Sequence, residues 1–176
     1  MEQTGNDTYE ATLRRTSGGV AHIHGTTWGD VGFGQGFGCA QDNLATIADQ
    51  LVKVRSSLSR TFGPGAGDTN VASDFGYLVL DVMGRGRAIR DVQPPHVQEI
   101  ITGYVAGYNT YVADARVHGG VAAWACDIDG SPAGWIEPVD EEVFYAYFAD
   151  VAMMASGRNL VGLIGRAEAP GPNGPV

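Results

Sequence analysis

The chain has 176 residues, the size of one ordinary domain, and its 11 basic and 20 acidic side chains give a net charge of −9. This charge argues against binding to nucleic acid or to an anionic membrane surface, because both present negative charge. The longest uncharged run, residues 100–113, is shorter than the roughly 20 residues that cross a bilayer as a helix. Only 18% of the residues are charged, against about 25% in a typical soluble domain, which suggests that an assembly covers part of the surface.

The first predicted element is a β-hairpin over residues 9–25. Tyr9, Ala11 and Leu13 alternate with polar residues, as in a strand with one buried face. The two glycines that end residues 16–19 favour a tight turn before the returning strand. Residues 1–8 are polar and are expected to form an N-terminal tail.

Glycine then occupies every second position from Gly32 to Gly38. We expect a strand-like segment, ending near Cys39, in which another backbone approaches closely or the chain turns sharply. A dinucleotide-binding loop is excluded, because the third glycine of its G-x-G-x-x-G pattern is missing in every frame of this segment. A P-loop is excluded because the sequence contains no G-K-[ST].

Apolar residues at helical spacing predict three helices in the middle of the chain. The first extends from an N-cap at Asp42 to the stop at residues 63–65, and the second begins behind Ser73. The third enters at Pro94 and ends at Gly119. Their apolar faces are, in order, Leu44, Ile47, Ala48, Leu51, Val54 and Leu58; then Phe75, Leu78, Val79, Val82 and Met83; then Val97, Ile100, Ile101, Tyr104, Val105, Tyr108 and Val112.

A fourth helix is predicted from an N-cap at Asp140 to Ala155, with a short helical tail that ends at Ala167. Residues 143–155 are apolar almost all round, and Asp150 is their only charge. A helix that is apolar on every face is buried on every face. This helix therefore predicts burial against material outside the chain.

The residues alone give no complete active site. His22 and His24 share a strand face, but without further ligands nearby they are more simply read as ordinary strand histidines. The acidic group around Trp135 lacks EF-hand spacing, which favours an exposed loop over a Ca²⁺ site. Cys39 and Cys126 fit one disulfide or two free thiols. The chain is thus either a non-catalytic helical interaction protein or a subunit of an enzyme whose catalytic groups lie elsewhere.

The order of several short motifs resembles the small α-subunit of the penicillin acylase family of N-terminal-nucleophile hydrolases. The resemblance extends from Tyr9 to Arg166 and is closest to the branch that acts on lipopeptide antibiotics, N-acyl-homoserine lactones and penicillin V. The matching motifs include Gly19-Val-Ala-His-Ile23, Trp28-Gly29, Gly32-Phe-Gly-Gln-Gly36, Ala40-Gln-Asp-Asn-Leu44, Gly103-Tyr-Val-Ala-Gly-Tyr-Asn109 and Trp135-x-x-Pro138.

The resemblance implies a mostly α chain with a short N-terminal β-hairpin, which forms the α-chain of an αββα fold completed by a larger β-chain. In the family a precursor is cut twice, and the N-terminal Ser of the β-subunit attacks the amide carbonyl with its own α-amino group as base. No catalytic residue is therefore expected on this chain. The resemblance also implies a domain over residues 9–169, a linker remnant near a processing cut over 170–176, and an exported protein whose signal peptide is absent from this numbering.

In penicillin-G acylases the helix after W-x-x-P lines the acyl pocket. An Arg and a Phe of that pocket align here with Met154 and Ala155, which removes a charge, opens volume and favours long aliphatic acyl chains. A Ca²⁺ ligand of those enzymes aligns with Val161, so no metal ligand is assigned to this chain, and any structural Ca²⁺ is expected mainly on the β-subunit. The candidate acyl-binding residues are Phe148, Val151, Met153, Met154 and Ala155.

These implications favour the α-subunit of a heterodimeric amidohydrolase that removes long acyl chains from a small-molecule N-acyl amide. An aryl-acetyl acylase of the penicillin-G type is the alternative within the family. A non-catalytic helical interaction protein is the alternative of another class.

Overall fold

The fold is mostly helical with a small antiparallel sheet at the N-terminus. The structure is a computed structural model, and it describes residues 2–5, 8–118 and 133–167. The strands are β1 (Glu2–Gly5), β2 (Glu10–Arg15) and β3 (Ala21–His24). The helices are α1 (Trp28–Val54), α2 (Leu58–Phe62), α3 (Thr69–Val79), α4 (Val82–Asp91), α5 (Pro95–His118), α6 (Glu141–Ala152) and α7 (Val161–Ile164), with 3₁₀ turns at Ala66–Asp68 and Gly157–Leu160. None of the helices in the described ranges is long and apolar enough to span a bilayer.

The predicted hairpin is confirmed, and the sheet has one strand more than was predicted. β2 pairs with β3 around a turn in which the Gly19 amide donates to the Thr16 carbonyl. β1 pairs with the other edge of β2, with Gly5 opposite Glu10. The polar sequence of β1 lacks the alternation of a half-buried strand, so a segment expected to be a tail contributes a strand.

The prediction of a strand in the glycine-rich segment is wrong, because these residues form the first half of α1. Because glycine occupies every second position, the segment contains two pairs of glycines that are four residues apart, and each pair lies on its own face of the helix. Gly34 and Gly38 face the sheet. A Cβ added at Gly34 would lie 2.8 Å from the Cβ of Ala11, and one added at Gly38 would lie 2.7 Å from a methyl carbon of Leu13. The other pair, Gly32 and Gly36, faces α5.

The backbones of α1 and α5 are in direct contact along this second face. An added Cβ at Gly36 would lie 2.0 Å from the Tyr104 carbonyl oxygen, and one at Gly107 would lie 2.0 Å from that of Phe33. Such close approach is possible only without side chains, so glycine is required on both helices. The predicted third helix, α5, is confirmed.

The first and second predicted helices have boundaries that differ from the structure. The first predicted helix corresponds to the second half of α1, which begins at an irregular residue, Asn43, with φ −143° and ψ 32°. It also ends earlier than predicted, since Ser56 has a positive φ and α2 is a separate helix. The second predicted helix is divided at Asp81, whose φ is 48° and whose side chain accepts from the Gly84 amide to cap α4.

The main core lies where α1, α5 and α6 pack together, and its largest fully buried side chains include Tyr108 and Tyr145. α4 closes against α6, where a Cβ on Gly86 would lie 2.6 Å from the Ala146 nitrogen. Cys39 lies half-buried on α1 and has no disulfide partner among the described residues. The predicted alternatives for its pairing stay untested, because Cys126 lies outside the described residues.

Candidate functional site

The segment that carries the candidate residues is attached to α5 immediately before α6 begins. The Asn109 side-chain amide donates to the Val139 carbonyl and accepts from the Val139 amide, both at 2.8 Å. The Arg116 guanidinium donates to the Ile136 carbonyl at 2.7 Å. These contacts fix the residues after Trp135, and Asp140 then caps α6 by accepting from the Val143 amide, as predicted.

α6 buries one side and leaves an apolar strip on the other. Phe148 and Val151 are 44% and 41% exposed, and their spacing of three residues places them on one face of the helix. The helix ends at Ala152, three residues before the predicted end, and a turn follows. The side chains that α6 buries are Val143, Phe144, Tyr145, Ala146, Ala149 and Asp150.

The five candidate residues lie in one short segment but do not share one environment. Met154 is 55% exposed and Ala155 is also exposed, so both present surface beside the α6 strip. Met153 is half-buried and packs against the core instead. The predicted wall of the acyl pocket is therefore an exposed apolar surface of this chain, and Met153 packs beneath it against the core.

The turn after α6 is closed by its own backbone. The Met153 carbonyl accepts from the Ser156 amide at 2.9 Å and from the Arg158 amide at 3.1 Å. The Met154 amide donates to the Val151 carbonyl at 3.1 Å. The positions of the exposed candidate residues therefore depend on how this turn is held against the body of the chain.

A buried carboxylate stands at the point where this turn begins. Asp150 is 1% exposed, and its Oδ1 accepts a 2.7 Å hydrogen bond from the Tyr77 hydroxyl on α3. Its Oδ2 lies 3.4 Å from Nζ of Lys53 on α1, and its Oδ1 lies 3.3 Å from Nε of Arg158. Sequence reasoning noted the lone charge on an apolar helix but missed its partners, two of which, Lys53 and Tyr77, are distant in sequence.

Burial dominates the titration of two members of this cluster. It lowers the pKa of Lys53, an effect that the charge of Asp150 opposes. It also raises the pKa of Tyr77, and the hydrogen bond to Asp150 acts in the same direction. At neutral pH the tyrosine is therefore a neutral donor to the carboxylate.

The candidate residues do not line the cavity beside Trp135. This cavity, of about 190 Å³, is bounded by Arg55, Arg60, Trp135 and Glu137 among others. Beside it, the Tyr108 hydroxyl is buried without a hydrogen-bond partner among the described residues, and burial raises its pKa.

The position at which the resemblance places a Ca²⁺ ligand does not fit that role. Val161 has no donor atom in its side chain, and it packs on α3, where a Cβ added to Gly76 would meet its Cγ1 at 2.7 Å. Within residues 2–5, 8–118 and 133–167, no three His, Cys, Asp or Glu side chains are grouped closely enough to hold a metal ion.

Comparison with known proteins identifies the family. The penicillin amidase family profile matches residues 10–155, so the chain belongs to the penicillin amidase family. A penicillin G acylase from Alcaligenes faecalis has a solved chain with the same fold, at a TM-score of 0.68 and 19% identity. The alignment covers 98% of this chain and 97% of that one, so the mostly helical prediction is confirmed at the level of the fold.

Two curated relatives are acylases. Acyl-homoserine lactone acylase PvdQ of Pseudomonas fluorescens (strain Pf0-1) is 38% identical over 121 residues, which cover 66% of this chain and 15% of that protein. Aculeacin-A acylase of Actinoplanes utahensis is 31% identical over 176 residues, which cover 96% of this chain and 22% of that protein. The chain thus spans less than a quarter of the length of either relative.

Proposed function

We propose that the chain is the small α-subunit of a heterodimeric acylase that hydrolyses the amide bond of N-acylated substrates with long aliphatic acyl chains. The observation that carries the proposal is the match to aculeacin-A acylase, which is 31% identical over 96% of this chain. The proposed enzyme is exported, and its precursor is processed by its own N-terminal nucleophile.

The exposed apolar strip on α6 supports the subunit assignment, because a subunit that is covered by a larger partner keeps such a surface. Two acylase relatives support amide hydrolysis as the reaction.

The proposed role of this chain is to provide one wall of the acyl pocket. An aliphatic chain gains about 0.8 kcal/mol for each CH₂ removed from water, so a wall made of Phe148, Val151, Met154 and Ala155 favours long acyl groups. Met154 adds no charge to this wall, and Ala155 adds little bulk. The amine part of the substrate is recognised by the β-subunit in this proposal.

The bond-breaking step belongs to the β-subunit. Its N-terminal Ser hydroxyl attacks the amide carbonyl while the α-amino group takes the proton. The α-ammonium group then gives this proton to the leaving amine as the C–N bond breaks and an acyl ester forms on the Ser. Water then hydrolyses that ester and releases the carboxylic acid. Donors on the β-subunit stabilise the negative charge that develops on the carbonyl oxygen.

Purification of the native protein tests the proposal. We expect a larger chain with an N-terminal Ser to co-purify, and the complex to release fatty acid from a dodecanoyl amide faster than phenylacetic acid from a phenylacetyl amide. The opposite preference would identify an aryl-acetyl acylase of the penicillin-G type. A monomer without a partner and without hydrolysis of either amide would favour the helical interaction protein instead.

A further inference from the structure

Most of the candidate wall lies between two side chains that contact each other. Asp150 precedes the turn and Arg158 follows it, and the Asp150 Oδ1 is 3.3 Å from the Arg158 Nε. The seven residues between them include Val151, Met154 and Ala155. The ion pair therefore closes residues 151–157 into a loop with a fixed base.

The Asp150 end of this loop is attached to the body of the chain. The Tyr77 hydroxyl donates to Asp150 at 2.7 Å, and Lys53 Nζ lies 3.4 Å from its other oxygen. A buried carboxylate is stable only when it is paired and hydrogen-bonded, so these contacts hold the end of α6 against α1 and α3.

The Arg158 end is attached more weakly. Its amide donates to the Met153 carbonyl at 3.1 Å, and its guanidinium reaches Asp150 with its side chain about one-third exposed. Replacement of Arg158 leaves Asp150 paired with Lys53 and hydrogen-bonded to Tyr77. The fold is therefore expected to survive such a replacement, while the loop loses its side-chain closure.

We infer that Asp150 and Arg158 are positioning residues for acyl specificity, which together with Tyr77 and Lys53 clamp residues 151–157 in the shape that accepts a long aliphatic chain. This inference rests on the proposed function. The contribution of a wall to chain-length preference depends on unbroken contact with each successive CH₂. A wall that moves loses this contact most at the far end of a long chain and least for a short one.

The test compares Arg158→Met with Arg87→Met in the assembled two-chain enzyme, over amides with acyl chains from butanoyl to dodecanoyl. Arg87 on α4 is a matched control, because it forms an ion pair with Glu142 in the first turn of α6, at the opposite end of that helix from Asp150. In Arg158→Met we expect KM for the dodecanoyl amide to rise about tenfold with kcat within about twofold, since uniform binding is lost. The butanoyl amide should change by less than about twofold, as should every substrate with Arg87→Met.

Two further variants separate positioning from general stability. Arg158→Lys keeps the charge and should recover most of the preference for long chains. Tyr77→Phe removes only the hydroxyl and should shift the preference in the same direction as Arg158→Met. An equal loss at all chain lengths in Arg158→Met, or no recovery with lysine, would overturn the inference.

Hydrogen exchange tests the clamp independently of any activity. The amides of Ser156 and Arg158 donate to the Met153 carbonyl, and their exchange should accelerate about tenfold or more in Arg158→Met and not in Arg87→Met. Unchanged exchange in both variants would overturn the inference. If the wild-type enzyme hydrolysed no acyl amide while this exchange difference was present, the proposed function would fail and the clamp would stand.

Discussion

Asp30 is the residue whose charge we expect to matter most for acid stability. Its carboxylate accepts from the Glu10 amide, from the amide and hydroxyl of Thr26, and from the Thr27 amide, at 2.8–3.2 Å. The Glu10 amide contributes most to holding its pKa far below the usual range, followed by the Thr26 hydroxyl. The same carboxylate therefore joins β2 to the start of α1.

Asp30→Asn should lower the free energy of unfolding by about 1–3 kcal/mol at pH 7, because several donors lose a charged acceptor. The stabilisation by Asp30 is complete above the unfolded-state pKa of about 3.9 and is lost as the pH falls towards the lower folded-state pKa. The difference from the wild type should therefore narrow on acidification. Urea unfolding of the assembled protein at pH 7 and pH 3 measures this.

Asp42→Asn is the matched control on the same helix, because Asp42 forms an exposed ion pair with Arg15. Loss of this ion pair should lower the free energy of unfolding by less than about 1 kcal/mol. A difference between wild type and Asp30→Asn that stays constant from pH 7 to pH 3 would show that the ionised carboxylate is not the stabilising species.

Ala155 is the candidate residue at which added bulk should change chain-length specificity. It is exposed in the turn after α6, so a larger side chain fits without disturbing the core of this chain. Ala155→Phe should lower kcat/KM for a dodecanoyl amide more than for a phenylacetyl amide. Each CH₂ that can no longer be buried should cost about three- to fourfold.

A chain-length series on the assembled enzyme measures this effect. Ala88→Phe, at an exposed position on α4, is the control and should leave the profile unchanged. An equal loss for all acyl groups with Ala155→Phe would mean that position 155 serves general packing and that the pocket lies elsewhere.

At the scale of elements, the contact between α1 and α5 should be the least tolerant of added atoms. Gly36→Ala would place a Cβ 2.0 Å from the Tyr104 carbonyl oxygen, so the two helices must separate. We expect a loss of about 3 kcal/mol or more in the free energy of unfolding. Gly162→Ala in α7 is the control, since the added Cβ would meet no atom of another described segment within 4 Å, and it should be neutral or slightly stabilising.

Thermal or urea unfolding of both variants in the assembled protein gives the comparison. A Gly36→Ala variant as stable as Gly162→Ala would contradict direct backbone contact between α1 and α5.

Local signals predicted the elements that local chemistry determines. Pro94 and Pro95 with a regular apolar stripe gave α5, and alternation around two glycines gave the β2–β3 hairpin. The first half of α1 could not be predicted, because glycine is a poor helix former and only a partner backbone, α5, stabilises it there. β1 depends on pairing with β2, which its own polar residues do not indicate.

The candidate site was also predictable only in part from the sequence. The resemblance to the acyl pocket of penicillin-G acylases indicated five residues in one segment, but it could not show that Met153 faces inward. That orientation depends on the turn after Ala152, which interrupts the helical spacing. The partners of Asp150 were also beyond prediction, because Lys53 and Tyr77 are distant in sequence and meet it only through the packing of α1, α3 and α6.

At the scale of the whole molecule, we expect the chain to be unstable as an isolated monomer. Large apolar side chains are exposed on α6 and on the segment after it, where a covering partner is proposed. The exposed side chains there are Phe148, Val151, Met154, Leu160 and Leu163. Residues 1–176 expressed alone should aggregate or unfold without a cooperative transition.

Size-exclusion chromatography and thermal unfolding of the chain with and without its co-expressed partner measure this. Leu160→Gln with Leu163→Gln should raise the soluble fraction of the isolated chain, since both side chains are exposed. A monodisperse wild-type monomer with a sharp transition would contradict the prediction.

The glycine contact between α1 and α5 also has a consequence for the order of events during synthesis. Gly32 leaves the ribosome roughly 70 residues before Gly103, an interval of about 4–14 s at 5–20 residues per second. Through that interval the first half of α1 has low helix propensity and lacks the backbone that stabilises it. The long helix that begins at Trp28 is therefore completed late, when α5 emerges, and slow translation between the two would prolong its exposure to proteases.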